Sequence, residues 1–323
     1  GAILQGGRGD DELVGMGGGH RYVFNMGDGV DTIFDSGMQT DAAGNLLSSR
    51  VVFGAGITAA DLRLAVSLDE YGASTLEVRF ADNATDLLRI EGFWLEDFPH
   101  NLPLRLFEFA DGSVVDITTL FAGGVDIIGS GVSETIIGTP LVDRINGRSG
   151  DDRLIGGTGD DTYHYAHGDG NDSIADVDVT AGNRDTIQLV GITPGQVSLA
   201  HDGFDLWLDI AADGVNPAGR VTIQGFLEDE INQIERVAFD DGTTWDAAYL
   251  EQNATVNTLP ALLGTVGDDV LSGVDSGNYI RGFEGHDVLT GGAGPDDILG
   301  NAGNDRLEGG LANDKLSGGS GDD

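Results

Sequence analysis

The sequence predicts an all-β fold in which parallel β-roll ladders alternate with antiparallel, β-sandwich-like inserts. Acidic residues recur every nine positions within glycine-rich segments, a spacing typical of a solenoid of very short strands. Between these segments apolar and polar residues alternate, as in antiparallel strands with one buried face. One segment near the N-terminus also aligns with another 141 residues later. The predicted order is ladder 1–35, insert 36–121, ladder 122–176, insert 177–252 and ladder 253–323.

The first ladder contains the nonapeptide GGRGDDELV, which places Asp11 at its sixth position. The next nine residues, GMGGGHRYV, place His20 at the sixth position and Tyr22 at the eighth. We expect His20 to weaken this ladder, since the residue eighteen positions earlier, on which it would stack, is Ala2. An eleven-residue step then leads to Asp31, which predicts a modified last turn that releases the chain.

The second ladder has an acidic residue at each sixth position and the same longer final step. These residues are Glu134, Asp143, Asp152, Asp161 and Asp172. Its end, YHYAHGDGNDSIAD, aligns without gaps with YVFNMGDGVDTIFD of the first ladder. Both ladders are therefore expected to release the chain in the same way.

The two inserts contain alternating stretches such as LRLAVSL and FDLWLDI, which predict antiparallel strands. Both inserts close on an Asp-Gly turn, in FADGSVVDI and FDDGTTWDA, and this dipeptide favours a tight hairpin. Trp94, Trp207 and Trp245 could form a sugar-binding platform, but their strand spacing favours core packing. Carbohydrate therefore remains a partner without support in the sequence.

The third ladder is the longest and keeps the period of nine without interruption. Its sixth positions are Asp269, Asn278, Asp287, Asp296, Asp305, Asp314 and Asp323. In all but the last, an aliphatic residue follows two positions later and is expected to face the core. Asn278 and, in the second ladder, Glu134 depart from the aspartate pattern. Because its residues have stacking partners on both sides, the third ladder is expected to hold the most ions.

The spacing indicates what the ladders bind. Residues eighteen positions apart would stack at about 4.8 Å, the separation of adjacent strands. Two oxygens on opposite sides of one calcium ion are about 4.6–5.2 Å apart, so the ion fits this gap. Without an ion, two such carboxylates repel by roughly 3–4 kcal/mol at an effective dielectric constant of about 20. The sequence therefore predicts β-roll ladders filled by multiple calcium ions.

Composition agrees with cations as partners and argues against other function classes. The chain has 16 Lys plus Arg and 55 Asp plus Glu, a net charge of −39, which argues against nucleic acid or an anionic membrane. With no cysteine, disulfides and thiolate metal sites are excluded. No apolar run reaches the length of a transmembrane segment. HExxH and GxSxG motifs are absent, so we expect no catalytic residues and no enzyme.

The repeats resemble the RTX (repeats-in-toxin) haemolysin-type calcium-binding repeats, and the inserts look like the β-rich domain that often accompanies them. The resemblance implies a calcium-filled parallel β-roll, export through a type I secretion channel and folding only after exit. It also implies that backbone carbonyls of the glycine loops join the sixth-position side chains as ligands. These glycines are Gly7, Gly9, Gly157, Gly159, Gly168, Gly170, Gly292, Gly294 and Gly303.

Three functions remain open at this point. One is a calcium-stabilised structural segment of a long secreted or cell-surface bacterial protein, such as an adhesin, sheath or surface-layer component. The others are the export and folding module of a type I-secreted enzyme or toxin, and a carbohydrate-binding module. The tandem duplication favours the first, because extending a solenoid gives reach and repeated surface. The chain starts and stops within a nonapeptide, so further repeats or neighbouring copies, end to end, are expected partners.

Overall fold

The computed structural model describes residues 1–36, 40, 43, 47–81, 83–93, 104–180, 182–227, 232–256, 259, 261–274, 277–321 and 323. In this part of the chain nearly all regular structure is β-strand, in parallel and antiparallel sheets, which confirms the all-β class. The chain forms two compact units. One comprises Gly1–Ile128 with Gly138–Arg144, and the other comprises Gly129–Ile137 with Ile145–Asp323.

The first unit begins with the first ladder and continues into the first insert. Its described strands are β1 (Ile3–Gln5), β2 (Glu12–Gly15), β3 (Arg21–Phe24), β4 (Val30–Asp35), β5 (Ser49–Phe53), β6 (Leu62–Leu68), β7 (Ser74–Phe80), β8 (Asn83–Glu91), β9 (Leu104–Glu108), β10 (Val114–Asp116) and β11 (Val125–Ile128). A one-turn helix, α1 (Ile117–Leu120), begins where the Asp116 carboxylate accepts a hydrogen bond from the Thr118 N–H.

The ladder strands of the first unit form two parallel stacks that the insert extends. β1 pairs with β3, and β2 pairs with β4 so that Leu13 lies opposite Ile33. β5 then adds to β3, and β8 adds to β4, again in parallel. Antiparallel pairing joins β6, β7 and β8 into a meander and β9 to β10. The insert thus has the predicted antiparallel strands. Its strands β5 and β8 also cover the strand edges that the ladder would otherwise expose.

The second unit contains the second ladder, the second insert and the third ladder. Strand β13 (Asp143–Asn146) crosses the boundary between the two units. The other ladder and insert strands are β12 (Thr135–Ile137), β14 (Arg153–Ile155), β15 (Thr162–Ala166), β16 (Asn171–Ile174), β17 (Thr186–Val190), β18 (Val197–His201), β19 (Leu206–Ile210), β20 (Gly219–Ile223), β21 (Arg236–Phe239), β22 (Thr244–Asp246) and β23 (Thr255–Val256), and helix α2 (Ala247–Asn253) follows β22. The third ladder comprises β24 (Ala261–Leu263), β25 (Val270–Ser272), β26 (Tyr279–Glu284), β27 (Val288–Gly292), β28 (Asp297–Ala302), β29 (Arg306–Gly310) and β30 (Lys315–Ser320).

The second insert extends its ladder in the same way as the first. β20 continues the parallel stack of β12, β14 and β16, and β17 and β21 continue from β15. β18, β19 and β20 form an antiparallel meander, and β21 pairs with β22 as a hairpin. The last two strands of the second ladder, β15 and β16, are therefore hydrogen-bonded to strands of the insert that follows.

The third ladder has a thin apolar core. Its strands form two parallel stacks, β24-β26-β28-β30 and β25-β27-β29, with paired residues eighteen apart. The eighth-position side chains Ile280, Leu289 and Ile298 are completely buried against one another. One buried aliphatic residue per nonapeptide contributes about 2 kcal/mol. That is little against the cost of ordering nine residues, so the ladder needs another source of stability.

Within the second unit, the third ladder packs against the second insert through charged side chains of alternate repeats. Arg220 of β20 donates to both carboxylate oxygens of Asp297 at 2.9 and 3.1 Å, and to Asp209 at 2.9 Å. Arg281 of β26 forms an ion pair with Asp205 at 2.9 Å. Asp297 and Arg281 occupy the seventh and ninth positions of their repeats, whose side chains face away from the ladder core. These contacts were not predicted from the sequence.

The described tryptophans pack in the interior, as their strand spacing predicted. Trp207 is 1% exposed and its ring lies 5.4 Å from that of Tyr279. Trp245 is 7% exposed, with its ring 4.6 Å from Phe239. Trp94 lies outside the described residues. Neither described ring presents an open face to a sugar.

Candidate calcium sites

The sixth residue of each repeat lies at the end of a glycine loop, directly before a short strand. Because the buried eighth residue fixes the strand register, sixth residues of successive coils stack at a separation of eighteen, as predicted. In four stacked pairs of the third ladder, the backbone N–H of the earlier residue donates to Oδ1 of the later aspartate. The N···O distances are 2.8 Å for Asp269 to Asp287, 2.8 Å for Asp287 to Asp305, 2.7 Å for Asp305 to Asp323 and 3.0 Å for Asp296 to Asp314.

The second oxygen of these carboxylates faces the turn of the coil. The Oδ2 atoms of Asp287, Asp296 and Asp305 are buried and have no hydrogen-bond partner among the described residues. A buried carboxylate oxygen without a partner is unfavourable. An oxygen that accepts no hydrogen bond in such a position is suited to a hard cation.

Backbone carbonyls converge on the same space, which the first glycine of each repeat keeps open. A Cβ added at Gly282 would collide with Oδ2 of Asp287 and lie 2.9 Å from the carbonyl oxygen of Gly300, one coil later. At Gly291 the added atom would collide with Oδ2 of Asp296, in the same way. Carboxylate and carbonyl oxygens from two coils therefore line one small region. This all-oxygen donor set fits calcium, which takes six to eight oxygen ligands.

The glycine loops turn through the left-handed region of backbone conformation. Positive φ angles between 92° and 139° occur at Gly7, Gly9, Gly157, Gly159, Gly168, Gly170, Gly292 and Gly303. At Gly303, a side chain would strike the carbonyl oxygen of Gly285 on the preceding coil, so only glycine fits both the φ and the space. The remaining predicted glycine, Gly294, is buried in the loop before Asp296.

The first two ladders contain the same arrangement with longer final steps. Asp11 donates its N–H to Oδ1 of Asp31 at 3.2 Å, and Asp152 donates to Asp172 at 3.0 Å, each pair twenty residues apart. Oδ2 atoms of Asp11, Asp31 and Asp152 lack a hydrogen-bond partner in the described part of the chain. The stacking predicted across the eleven-residue step is therefore present. Asp143 differs, since its carboxylate accepts hydrogen bonds from Thr139 at 2.5–3.1 Å.

The residues that depart from aspartate are held by hydrogen bonds. Glu134 folds back onto its own loop, where its carboxylate accepts from the Ser130 N–H at 2.5 Å. The amide nitrogen of Asn278 donates to the Val274 carbonyl at 2.8 Å and to Oδ1 of Asp296 at 2.9 Å. In this orientation an N–H group of Asn278 occupies the position that Oδ2 takes in the aspartate repeats.

His20 likewise makes local hydrogen bonds. Its Nδ1 accepts from the Ala2 N–H at 3.1 Å, and Nε2 lies 3.1 Å from the Met16 carbonyl oxygen. The upstream stacking partner of His20 is thus Ala2, as the sequence predicted, and this pair offers no carboxylate to a cation.

Burial changes the protonation of the stacked carboxyls. It raises the pKa of Asp31 to about 6 and the pKa of Asp152 to about 7, with neighbouring carboxylates adding to the effect. Burial also raises the pKa of Asp143 to about 7 and that of Asp172 well above its ordinary value. Protons and cations therefore compete for these groups near neutral pH.

One stacking partner in the second ladder was missed by sequence reasoning. The Asp161 N–H donates to Oδ1 of Asp185 at 2.8 Å, across twenty-four residues. Asp185 lies beyond the ladder, directly before β17, and follows no nonapeptide spacing. The only sequence signal is its position directly before the first alternating stretch of the insert.

Comparison with known proteins agrees with this geometry. The model of the RTX calcium-binding nonapeptide repeat matches residues 3–19, 128–163, 137–174, 263–298 and 290–323. The family model of the haemolysin-type calcium binding protein related domain matches residues 205–249, in the second insert. The solved structure of the extracellular lipase LipA from Serratia marcescens is similar over 60% of this chain, at 19% identity and a TM-score of 0.29. This chain covers 29% of that lipase chain, and so weak a likeness carries no argument about function.

The oxygen-lined, stacked turns and the parallel strands between them define a calcium-binding β-roll. The chain carries RTX calcium-binding nonapeptide repeats, which bind calcium ions, and a haemolysin-type calcium binding protein related domain. None of the helices in the described residues has the length and apolar character to span a membrane.

Proposed function

We propose that the chain is a calcium-stabilised structural segment of a long secreted or cell-surface bacterial RTX protein, of the adhesin, sheath or surface-layer type. In this proposal it leaves the cell unfolded through a type I secretion system and folds in extracellular calcium. Extracellular calcium modules typically bind at about 10⁻⁴–10⁻³ M, so cytosolic calcium would leave the ladders open.

The observation that carries the proposal is the stack of buried Oδ2 atoms without hydrogen-bond partners. In the rungs of Asp287, Asp296 and Asp305, Oδ1 accepts a hydrogen bond from the stacked residue, while Oδ2 has no hydrogen-bond partner among the described residues and lies beside glycine carbonyls. The ion supplies positive charge between carboxylates that would otherwise repel. Because the apolar core is thin, this binding energy becomes folding energy.

Circular dichroism of the purified chain during a calcium titration tests the folding step. We expect low β signal in chelator and cooperative gain at millimolar calcium, with magnesium at equal concentration giving much less. Full β signal in the presence of chelator would contradict the proposal.

Force spectroscopy tests the structural role separately from folding. With the chain held between reference domains, we expect resistance to extension in calcium and featureless extension in chelator. A calcium-folded chain that extends without a force peak would leave calcium-driven folding intact and reject the structural role. That outcome would favour the export module of a secreted enzyme or toxin instead.

A further inference from the structure

A polar cavity of about 330 Å³ lies in the second unit, where the second ladder, its insert and the third ladder meet. Arg153 of the second ladder, Gln224 of the insert, and Phe283 and Asn301 of the third ladder all line it. Its size is at the lower end of the range for small-molecule sites, about 300–1,000 Å³. None of the described residues that line it is a sixth-position residue or a predicted glycine ligand of the ladders.

The third ladder contributes two strained residues to this cavity. Phe283 and Asn301 have φ of 78° and 73°, and they lie opposite each other where β26 pairs with β28. Both occupy the second position of a repeat, which is glycine with positive φ at residues 292, 310 and 319. A non-glycine residue is unfavourable in this conformation, and such strain is concentrated at functional sites. The strain therefore points to a role for these two side chains at the cavity wall.

Arg281 fixes the Phe283 ring at the junction between ladder and insert. The guanidinium carbon lies 4.3 Å from the ring centre. Its terminal nitrogens form ion pairs with Asp202 at 3.3 Å and Asp205 at 2.9 Å, both in the insert. An aromatic ring held in this way offers an apolar surface at little cost in conformational entropy, which suits the C–H face of a sugar ring.

Arg153 is the second indication of a ligand. It is half-buried, and it forms no ion pair among the described residues although the chain has a net charge of −39. Its guanidinium donates to Oε1 of Gln224 at 3.3 Å. A guanidinium has five N–H donors, so most of them remain available to a bound molecule.

The polar groups of the wall match hydroxyl groups better than an anion. Each hydroxyl donates one hydrogen bond and accepts others, so it needs both kinds of partner. The wall offers donors at Arg153, acceptors at the Glu284 carboxylate, and both at the amides of Gln224, Asn232 and Asn301. The carboxylates of Asp176 and Glu284 line the cavity, and the net charge of −39 repels anions.

We propose that this cavity binds one uncharged hexose or N-acetylhexosamine unit of a saccharide. The C–H face of the sugar would lie on Phe283, and its hydroxyls would bond to Arg153 and to the amides of Gln224 and Asn301. This site does not involve the tryptophans. It goes beyond the proposed function and does not depend on the adhesin-type role.

Saturation-transfer difference NMR of the whole chain in saturating calcium tests the site. Glucose, galactose, mannose and N-acetylglucosamine are added one at a time, and at least one should receive saturation, mainly at its ring C–H protons. Glucuronate should bind more weakly than glucose, because the carboxylates in the wall repel it. If none of the four sugars binds, or if glucuronate binds better than all of them, the inference is wrong.

Phe283→Gly is the decisive variant, because it removes the ring and relieves the backbone strain at the same time. Sugar affinity should fall about tenfold, while calcium-dependent folding is retained. Arg148→Gly is the matched control, since Arg148 is an exposed second-position residue with φ 68° that does not line the cavity. It should leave sugar affinity unchanged.

Gln224→Glu tests the other side of the cavity without removing a contact. The new carboxylate would pair with Arg153 and occupy its donors, so sugar affinity should fall although the fold is kept. Wild-type affinity in both Phe283→Gly and Gln224→Glu would overturn the inference. Circular dichroism of the same samples distinguishes the two proposals. A chain that does not fold on addition of calcium contradicts the proposed function, whereas a calcium-folded chain that binds no sugar contradicts only this site.

Discussion

At the sixth position of a repeat, an aspartate such as Asp296 performs two tasks with its two oxygens. In Asp296, Oδ1 accepts from the side-chain amide of Asn278 at 2.9 Å, while Oδ2 lacks a hydrogen-bond partner among the described residues. Asn278 cannot do both, because its NH₂ group lies where an aspartate has Oδ2, and this group donates hydrogen bonds and offers no oxygen to a cation. The rung between Asn278 and Asp296 is therefore closed by hydrogen bonds.

Replacing Asn278 by Asp should make this rung depend on calcium. The change removes the hydrogen bond to Asp296 and places two carboxylates at coil spacing, which costs roughly 3–4 kcal/mol at an effective dielectric constant of about 20. In calcium, the variant should bind one more ion than the wild type. Thermal unfolding in chelator and in calcium measures both effects, and the isosteric Asn278→Asp change leaves the volume constant. An unchanged midpoint in chelator would show that the amide has no special role here.

Four non-glycine residues of the described chain adopt the left-handed conformation, and all occupy the second or fourth positions of repeats. They are Arg148, Phe283, Asn301 and Ala312, with φ between 68° and 85°. Glycine is the usual residue at these positions, so each exception stores backbone strain.

Ala312→Gly should therefore stabilise the third ladder by about 1 kcal/mol, because alanine is strained at φ 85° and glycine is not. The neighbouring exposed Leu311 does not have positive φ, so Leu311→Gly is the control and should not stabilise. Denaturant unfolding in saturating calcium measures the difference. A loss of stability on Ala312→Gly would mean that unfolded-state entropy outweighs the relief of strain.

At the scale of elements, the third ladder depends on the insert that it packs against. Arg220 is buried and holds both Asp209 and Asp297. Arg220→Met should cost about 3–5 kcal/mol, because it leaves Asp297 without its cation and Asp209 with only the exposed Lys315. Arg306 forms an exposed pair with Glu308 at 3.6 Å, so Arg306→Met should cost less than about 1 kcal/mol. Urea unfolding in calcium compares them, and equal effects would show that the buried pair is not needed.

The ladders should respond to pH in opposite directions with and without calcium. Burial raises the pKa of Asp31 to about 6 and that of Asp152 to about 7, above the 3.8 of a free carboxyl. Without calcium, the protonated form favours the folded state, so stability is greatest at low pH and falls as pH rises through 6–7. With calcium, protons compete for the ligands, so affinity should rise over the same range. Thermal unfolding at pH 5 and pH 8, with and without chelator, measures this, and equal stability of the calcium-free chain at both pH values would contradict it.

The repeat period made the strand register within the ladders predictable. It did not predict how the strands of the inserts pair with those of the ladders. An aliphatic residue at every eighth position must face the core, so Leu289 can only pair as it does. The pairing of β5 with β3 depends on where the released chain returns, and no local pattern encodes that. Asp185 was missed for the same reason, and Arg220 because its partner Asp297 occupies a position that reads as solvent-exposed in the repeat.

At the scale of the whole molecule, the net charge of −39 opposes compaction until cations bind. The hydrodynamic radius should be large in chelator and fall sharply on addition of calcium. Potassium chloride at equal ionic strength should reduce it only partly, because screening weakens repulsion without bridging coils. Size-exclusion chromatography with light scattering measures the radius. A calcium-free chain as compact as the calcium-bound one would show that charge repulsion does not hold it open.

The bond from a backbone N–H to the carboxylate of the following coil gives the ladder a direction. Asp287 receives from Asp269 and donates to Asp305, so the two sides of its coil are bound by different atoms. Asp287→Ala should therefore speed amide hydrogen exchange at residue 269 more than at residue 287, whose own N–H still has an acceptor. Disruption of one coil would therefore weaken the coil on its N-terminal side before the one on its C-terminal side, so the ladder should unfold asymmetrically.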